Sequence, residues 1–133
     1  VEIAGEVVGE TRRGILLLLG IEATDSTTQS QKLIDKVLNY RIFPDNDGRM
    51  NLSVKDINGG VLIVSQFTLV ADTRKGLRPG FSSAAAPEVA EKIYNEFVSS
   101  FKLVHPDVAT GIFSADMQVS LCNDGPVTFL LES

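Results

Sequence analysis

Val61-Leu62-Ile63-Val64 is an apolar run that passes into Ser65-Gln66-Phe67-Thr68-Leu69 with no turn residue between. Four strand-favouring hydrophobes in a row read as a buried strand, and Ser, Gln and Thr then stand at its carboxyl end. Core strands seldom end this way, because a buried hydroxyl or carboxamide without a partner costs free energy. The run therefore demands a covered sheet. It also marks Ser65–Leu69 as the first place to look for chemistry.

The rest of the pattern supplies the covers. Ile15–Ile21 is a second continuous apolar run, hence a strand enclosed on both faces. Asp25 or Ser26 can cap a helix reaching about Asn39, with Leu33, Ile34, Val37 and Leu38 on one stripe. Pro87 fits the first position of a second helix, with Glu88 and Glu91 at its positive end. Val89, Ile93, Tyr94, Phe97, Val98 and Phe101 form its core-facing stripe. Shorter strands are expected at Val1–Ala4, Glu6–Glu10, Arg41–Phe43, Met50–Val54, Ala109–Phe113, Met117–Cys122 and Val127–Leu131. Asp45-Asn46-Asp47-Gly48 and Asn58-Gly59-Gly60 are turns. Val70–Ala86 reads as a long loop, a length that compact domains often reserve for function. The expectation is one α/β domain over residues 1–133, with two helices and mixed, mostly antiparallel sheets.

Charge narrows the partners. The chain carries a net −5, whereas a protein that grips many phosphates gains affinity from a basic face. Its one dense basic segment is Arg74-Lys75-Gly76-Leu77-Arg78. Either this is a solvated loop or it makes a small contact at a nucleic-acid terminus. No apolar run approaches the roughly 20 residues that cross a bilayer, so no membrane partner is expected. A lone cysteine, Cys122, permits no internal disulfide and suits a reducing, cytoplasmic setting.

Much familiar chemistry is missing. His105 is the only histidine, and its neighbours Val104 and Pro106 place it in a surface loop with no orienting carboxylate. Cys122 lies on an alternating segment and reads as a packed side chain. No Cys/His spacing fits a metal site, and Asp45 and Asp47 lack the glutamate that completes a calcium loop. No glycine pattern fits a phosphate loop. A hydrolase built on this chain works without the usual side-chain base, and no metal or cofactor is expected.

The chain resembles the D-aminoacyl-tRNA deacylase family. Ser65-Gln66-Phe67-Thr68-Leu69 and Asn123-Asp124-Gly125-Pro126-Val127-Thr128 are similar to its two signature motifs. Arg41-Ile42-Phe43, Met50-Asn51-Leu52, Asp72-Thr73-Arg74-Lys75-Gly76 and Ala115-Asp116-Met117-Gln118-Val119-Ser120 extend the likeness along most of the sequence. Members of that family open with a further strand containing Gln-Arg-Val, so the resemblance implies that this sequence starts inside the domain. One departure is Arg78-Pro79-Gly80-Phe81, where the family usually has serine in place of Gly80.

The resemblance implies a three-layer fold and a homodimer that hydrolyses D-aminoacyl-tRNA. It puts the catalytic pocket at Ser65, Gln66, Phe67 and Thr68. An aminoacyl ester is already activated, and the ribose 2′-hydroxyl can help to place the attacking water, so backbone N–H donors could suffice. Thr68 is either a nucleophile or, with no base to activate it, a positioning group. Gly125 and Pro126 are implied to be a cis pair inserted into the other subunit's pocket, where their carbonyls reject an L side chain. Glycine, with no side chain, would pass. Read from the residues alone, the same pair is an ordinary turn. Arg74, Lys75, Arg78 and Phe81 are candidates for the tRNA end, with Phe81 stacking near the 3′-terminal adenosine. Two other readings stay open: a non-catalytic nucleic-acid-binding module, and a small-molecule esterase using Ser65 or Thr68.

Overall fold

The structure is a computed structural model describing residues 1–133. Its strands and helices follow in the order β1 (Glu2–Ile3), β2 (Glu6–Val7), β3 (Gly14–Leu19), α1 (Thr27–Asn39), β4 (Phe43–Pro44), β5 (Met50–Leu52), β6 (Gly60–Ser65), α2 (Pro87–Val104) and β7 (Val108–Thr110). The centre is a three-stranded sheet ordered β3-β6-β7 and parallel throughout. β1–β2 and β4–β5 are small antiparallel pairs.

The domain is thus α/β with two helices and mixed sheets, but its long ladders are parallel rather than antiparallel. The physical reason lies in the connections. α1 lies between β3 and β6, and α2 between β6 and β7, so each link is a crossover that returns the chain in the same direction. Strands of this kind are covered on both faces, which is why Val61–Val64 and Ile15–Leu19 carry no polar alternation.

Both helices cover one face. Ser26 caps α1, and its N–H donates to Gln29 Oε1 at 2.8 Å, the reciprocal half of a capping box. Ile34, Val37 and Leu38 from α1 meet Tyr94, Phe97, Val98 and Phe101 from α2 above Leu19, Val61 and Ile63. Phe97 and Phe101 are fully enclosed, and each such ring contributes about 1.5–3 kcal/mol through burial. Tyr94 is tied down as well, its hydroxyl donating to Ile63 O at 3.1 Å while burial pushes its pKa up. Val89 is exposed, because the first turn of α2 projects past this core. The other face packs Leu62 and Val64 against Val1, Leu16, Ala109, Met117 and Val119.

Three further expectations are corrected. The strand from Val61 ends at Ser65, and Phe67–Val70 is a 3₁₀ turn. Met117–Cys122 and Val127–Leu131 belong to no strand, the one ladder contact there being a bridge between Glu2 and Gln118. Their alternation is real, since Met117 and Val119 are half-buried while Gln118 and Ser120 face out. What is missing is a neighbouring strand within the chain. For the same reason Cys122 is exposed rather than packed. His105 is buried rather than on a surface loop. It caps α2, with its ring edge-on to Phe101 and Nε2 at 2.8 Å from Gly59 O.

Candidate active site

The carboxyl end of β6 carries the polar cluster. The backbone N–H of Gln66 still bonds to Leu19 O at 2.8 Å, so the ladder runs one residue past the strand. The chain then folds into the 3₁₀ turn, closed by Leu69 N–H to Gln66 O and Ala71 N–H to Thr68 O, both 3.2 Å. Gly20 makes room for this turn, because a Cβ there would lie 3.1 Å from both Leu69 Cβ and Val70 Cγ1. The first N–H groups of a helical turn have no partner within it. Here those groups belong to Phe67 and Thr68, and both residues are exposed.

Side chains complete the turn. Gln66 Nε2 donates to Thr68 Oγ1 at 2.5 Å. Phe67 projects into solvent and meets Phe81, ring centroids 5.2 Å apart. Phe81 arrives from the long loop, which is pinned beside the turn by Ser83 Oγ donating to Val70 O at 2.9 Å. The backbone also ties Ala23 N–H to Ser83 O and Ala85 N–H to Ile21 O.

The basic segment forms the tip of that loop. Asp72 and Gly80 close its base through a pair of backbone bonds, 2.7 and 2.9 Å. Gly76 turns the tip with φ +68°, a conformation that favours glycine. Arg74 folds back on Asp72: Nε to Oδ1 is 2.9 Å, Nη2 to Oδ2 is 2.8 Å, and its backbone N–H also reaches Oδ1. The Arg74 side chain beside it, then the Arg74 N–H, hold the Asp72 carboxyl below its usual pKa, and the same pairing raises Arg74. Lys75 and Arg78 enter no ion pair. Leu77 stands between them fully exposed.

Ser65, Gln66, Phe67, Thr68 and Phe81 are therefore brought together, with Lys75 and Arg78 on the adjoining loop. Gly125 and Pro126 are not brought to them within the chain. No hydrogen bond joins residues 123–128 to Ser65–Thr68. The nearest atoms to a Cβ placed on Gly125 all belong to Val127. The Gly125–Pro126 peptide bond is cis, and Gly125 has φ +132°. A recess of about 460 Å³ between α2 and Thr110–Phe113 contains none of these residues. Sequence reasoning gave no role to Asp72, to the Phe67–Phe81 pair or to Asn123, whose side chain spans the 123–128 loop. Asp and Asn ahead of a turn are a signal for such side-chain-to-backbone bonds.

Open α/β sheets place ligands beyond the carboxyl ends of their parallel strands. This fold and this strand end define an α/β protein with free backbone donors, a hydroxyl and an aromatic platform gathered at such a position. A model of the D-Tyr-tRNA(Tyr) deacylase family matches residues 1–132. The chain is 60% identical over 132 residues to a D-aminoacyl-tRNA deacylase of Cellvibrio japonicus, covering 99% of this chain and 90% of that one. It is 57% identical to a D-aminoacyl-tRNA deacylase of Stutzerimonas stutzeri, covering 100% and 92%. A solved structure of the c-Myc DNA Unwinding Element Binding Protein superposes with a TM-score of 0.94 at 39% identity, covering 99% of this chain and 90% of that one. The chain belongs to the D-Tyr-tRNA(Tyr) deacylase family, hydrolases acting on the ester bond of aminoacyl-tRNA.

Proposed function

We propose that this protein hydrolyses D-aminoacyl-tRNA, holding the ester at the Ser65–Thr68 strand end. The observation that carries the reading is the turn itself, which offers the Phe67 and Thr68 N–H groups to one point beside the Gln66–Thr68 pair. Donors fixed in advance toward a developing oxyanion are usually the largest single contribution to acyl transfer. Water attacks the ester carbon, and the carbonyl oxygen takes up negative charge against those donors. Collapse then breaks the bond to the ribose 3′-oxygen, which leaves as a hydroxyl after gaining a proton. Gln66 donates to Thr68, so the Thr68 hydroxyl proton is directed outward to the ester or the water. Phe67 and Phe81 offer a face for the 3′-terminal adenosine, and Lys75 and Arg78 a pair of cations for the phosphates behind it.

Selectivity is assigned to Gly125 and Pro126 of a second subunit. Leu121, Phe129 and Leu130 are exposed on the segment that carries them, and no residue after Gln118 makes a backbone–backbone hydrogen bond. A two-fold partner would cover this segment and deliver its tip to the neighbouring pocket. The carbonyls there would meet an L side chain and pass a D one, or the single hydrogen of glycine. The proposed setting is the cytoplasm, where aminoacyl-tRNA is used.

A non-catalytic nucleic-acid-binding module is the second reading, favoured by the likeness to the c-Myc DNA Unwinding Element Binding Protein. The net charge of −5 speaks against a duplex-long footprint. Incubation with D-tyrosyl-tRNA, L-tyrosyl-tRNA and p-nitrophenyl acetate separates the readings. Release of D-tyrosine alone supports the proposal. Binding without release supports the module, and cleavage of the simple ester supports a small-molecule esterase.

A further inference from the structure

Residues 119–133 hold almost no internal hydrogen bonding. Within that stretch the backbone makes none to itself, and Lys36 Nζ reaches only its end, at Glu132 O. The exception is Asn123. Its Oδ1 accepts the Val127 N–H at 3.0 Å, and its Nδ2 donates to Thr128 Oγ1 at 2.8 Å. The amide orientation is fixed by chemistry, since the Val127 N–H can only donate and must face the oxygen. One exposed side chain thus closes a loop whose tip is Gly125 and Pro126.

We propose that Asn123 is a positioning residue that sets the Gly125–Pro126 loop before substrate arrives, and so fixes the discrimination between D and L substrates. The inference rests on the reading of Gly125 and Pro126 as the steric wall. A wall discriminates only if it is held to a fraction of an ångström, and groups on loops need supporting hydrogen bonds to reach that precision. Gly125 sits at φ +132° and has the freedom of a residue without a Cβ. Asn123 touches neither the strand end nor the basic loop by any hydrogen bond in the structure. Its effect passes through the backbone at Val127 and the side chain at Thr128.

Three variants test this, read as kcat/KM for D- and L-tyrosyl-tRNA, KM for the D substrate, and Tm. Asn123→Ala loses both bonds, and the D-to-L ratio should fall about tenfold, the scale of one or two lost hydrogen bonds. KM for the D substrate and Tm should hold, because tRNA contacts and core are elsewhere. Asn123→Asp should restore the ratio, since its two oxygens can accept from the Val127 N–H and the Thr128 hydroxyl. Thr128→Val removes only one bond and should fall between. A wild-type ratio in Asn123→Ala overturns the proposal, as does an Asp variant no better than Ala. Should Asn123→Ala lower the Tm, Thr128→Val decides, and an unchanged ratio there overturns it. Gly125→Ala, run in parallel, separates the wall from its support. A changed ratio in that variant with none in Asn123→Ala leaves the wall standing and overturns the role of Asn123. No change in either removes the wall, and the proposal with it.

Discussion

Gln66 Nε2 donates to Thr68 Oγ1 across 2.5 Å, so the threonine oxygen receives a hydrogen bond instead of giving its proton away. A carboxamide nitrogen has no lone pair with which to take that proton. An activated nucleophile needs the opposite arrangement, with a base accepting from the hydroxyl. The pair therefore suits a hydroxyl aimed at substrate. Thr68→Ala should lower kcat by about tenfold, in the range of one lost transition-state hydrogen bond, and keep measurable turnover. Gln66→Leu should act similarly by freeing the hydroxyl to rotate. Single-turnover assays with intact-protein mass spectrometry check both points, and an aminoacyl ester trapped on Thr68 would refute the assignment.

The basic loop divides its cations between two tasks. Arg74 is spent on Asp72, whereas Lys75 and Arg78 are unpaired. Removing Lys75 and Arg78 together should weaken tRNA binding and reduce the slope of log K against log salt by about one unit. Arg74→Ala should change the slope less and loosen the loop more. A pH signature goes with it. The Asp72 pKa is depressed in the fold, chiefly by the Arg74 side chain. Its contribution is thus present above the ordinary carboxylate pKa and is lost as pH falls through the lowered value. Proteolysis after Lys75 should stay constant through neutral and mildly acidic pH and quicken only in stronger acid. NMR titration of Asp72 should move up in Arg74→Ala, and an unmoved midpoint would contradict the pairing.

His105 separates a structural histidine from a catalytic one. Its ring joins the end of α2 to the turn at Gly59, far along β6 from the polar end. His105→Ala leaves the buried Gly59 carbonyl without that partner, so stability should fall by about 1–3 kcal/mol. The kcat for D-tyrosyl-tRNA should be unchanged at a temperature where the variant is folded. Urea unfolding and initial rates measure the two quantities separately. A loss of kcat at full stability would give His105 a role that its position does not explain.

Local signals were legible and distant ones were not. The Ser26 cap, Pro87 and the two apolar stripes place α1 and α2 because each depends on neighbours within a turn or two. The polar end of β6 stood out for the same reason. His105 misled because Val104 and Pro106 say nothing of Phe101 one turn back, or of Gly59 many residues away. Met117–Cys122 misled differently. Period-two alternation reports which side chains face the body, and it carries no information on whether a strand lies alongside to complete a ladder. Parallel pairing was likewise hidden in the crossovers. The gap between Gly125 and Ser65–Thr68 could not be read at all, since sequence does not say whether two motifs meet within one chain or between two.

That last question has a direct test. If each pocket joins Ser65–Thr68 of one subunit to Gly125 and Pro126 of the other, defects in the two parts should complement. Thr68→Trp would fill the space above the strand end. Gly125→Ala places a Cβ where φ is +132° and where Val127 Cγ2 would lie 2.5 Å away, so it should distort the tip. Each variant alone should be nearly inactive. In a mixed dimer one site carries both defects and the other carries neither. Equal mixing after subunit exchange makes half the dimers mixed, so about a quarter of wild-type activity should return, with D selectivity intact. Size-exclusion chromatography with light scattering shows whether the dimer forms, and the deacylation rate of the exchanged mixture measures the recovery. No recovery from a mixture proven to contain mixed dimers would place both parts of the site in one chain and end the cross-subunit model.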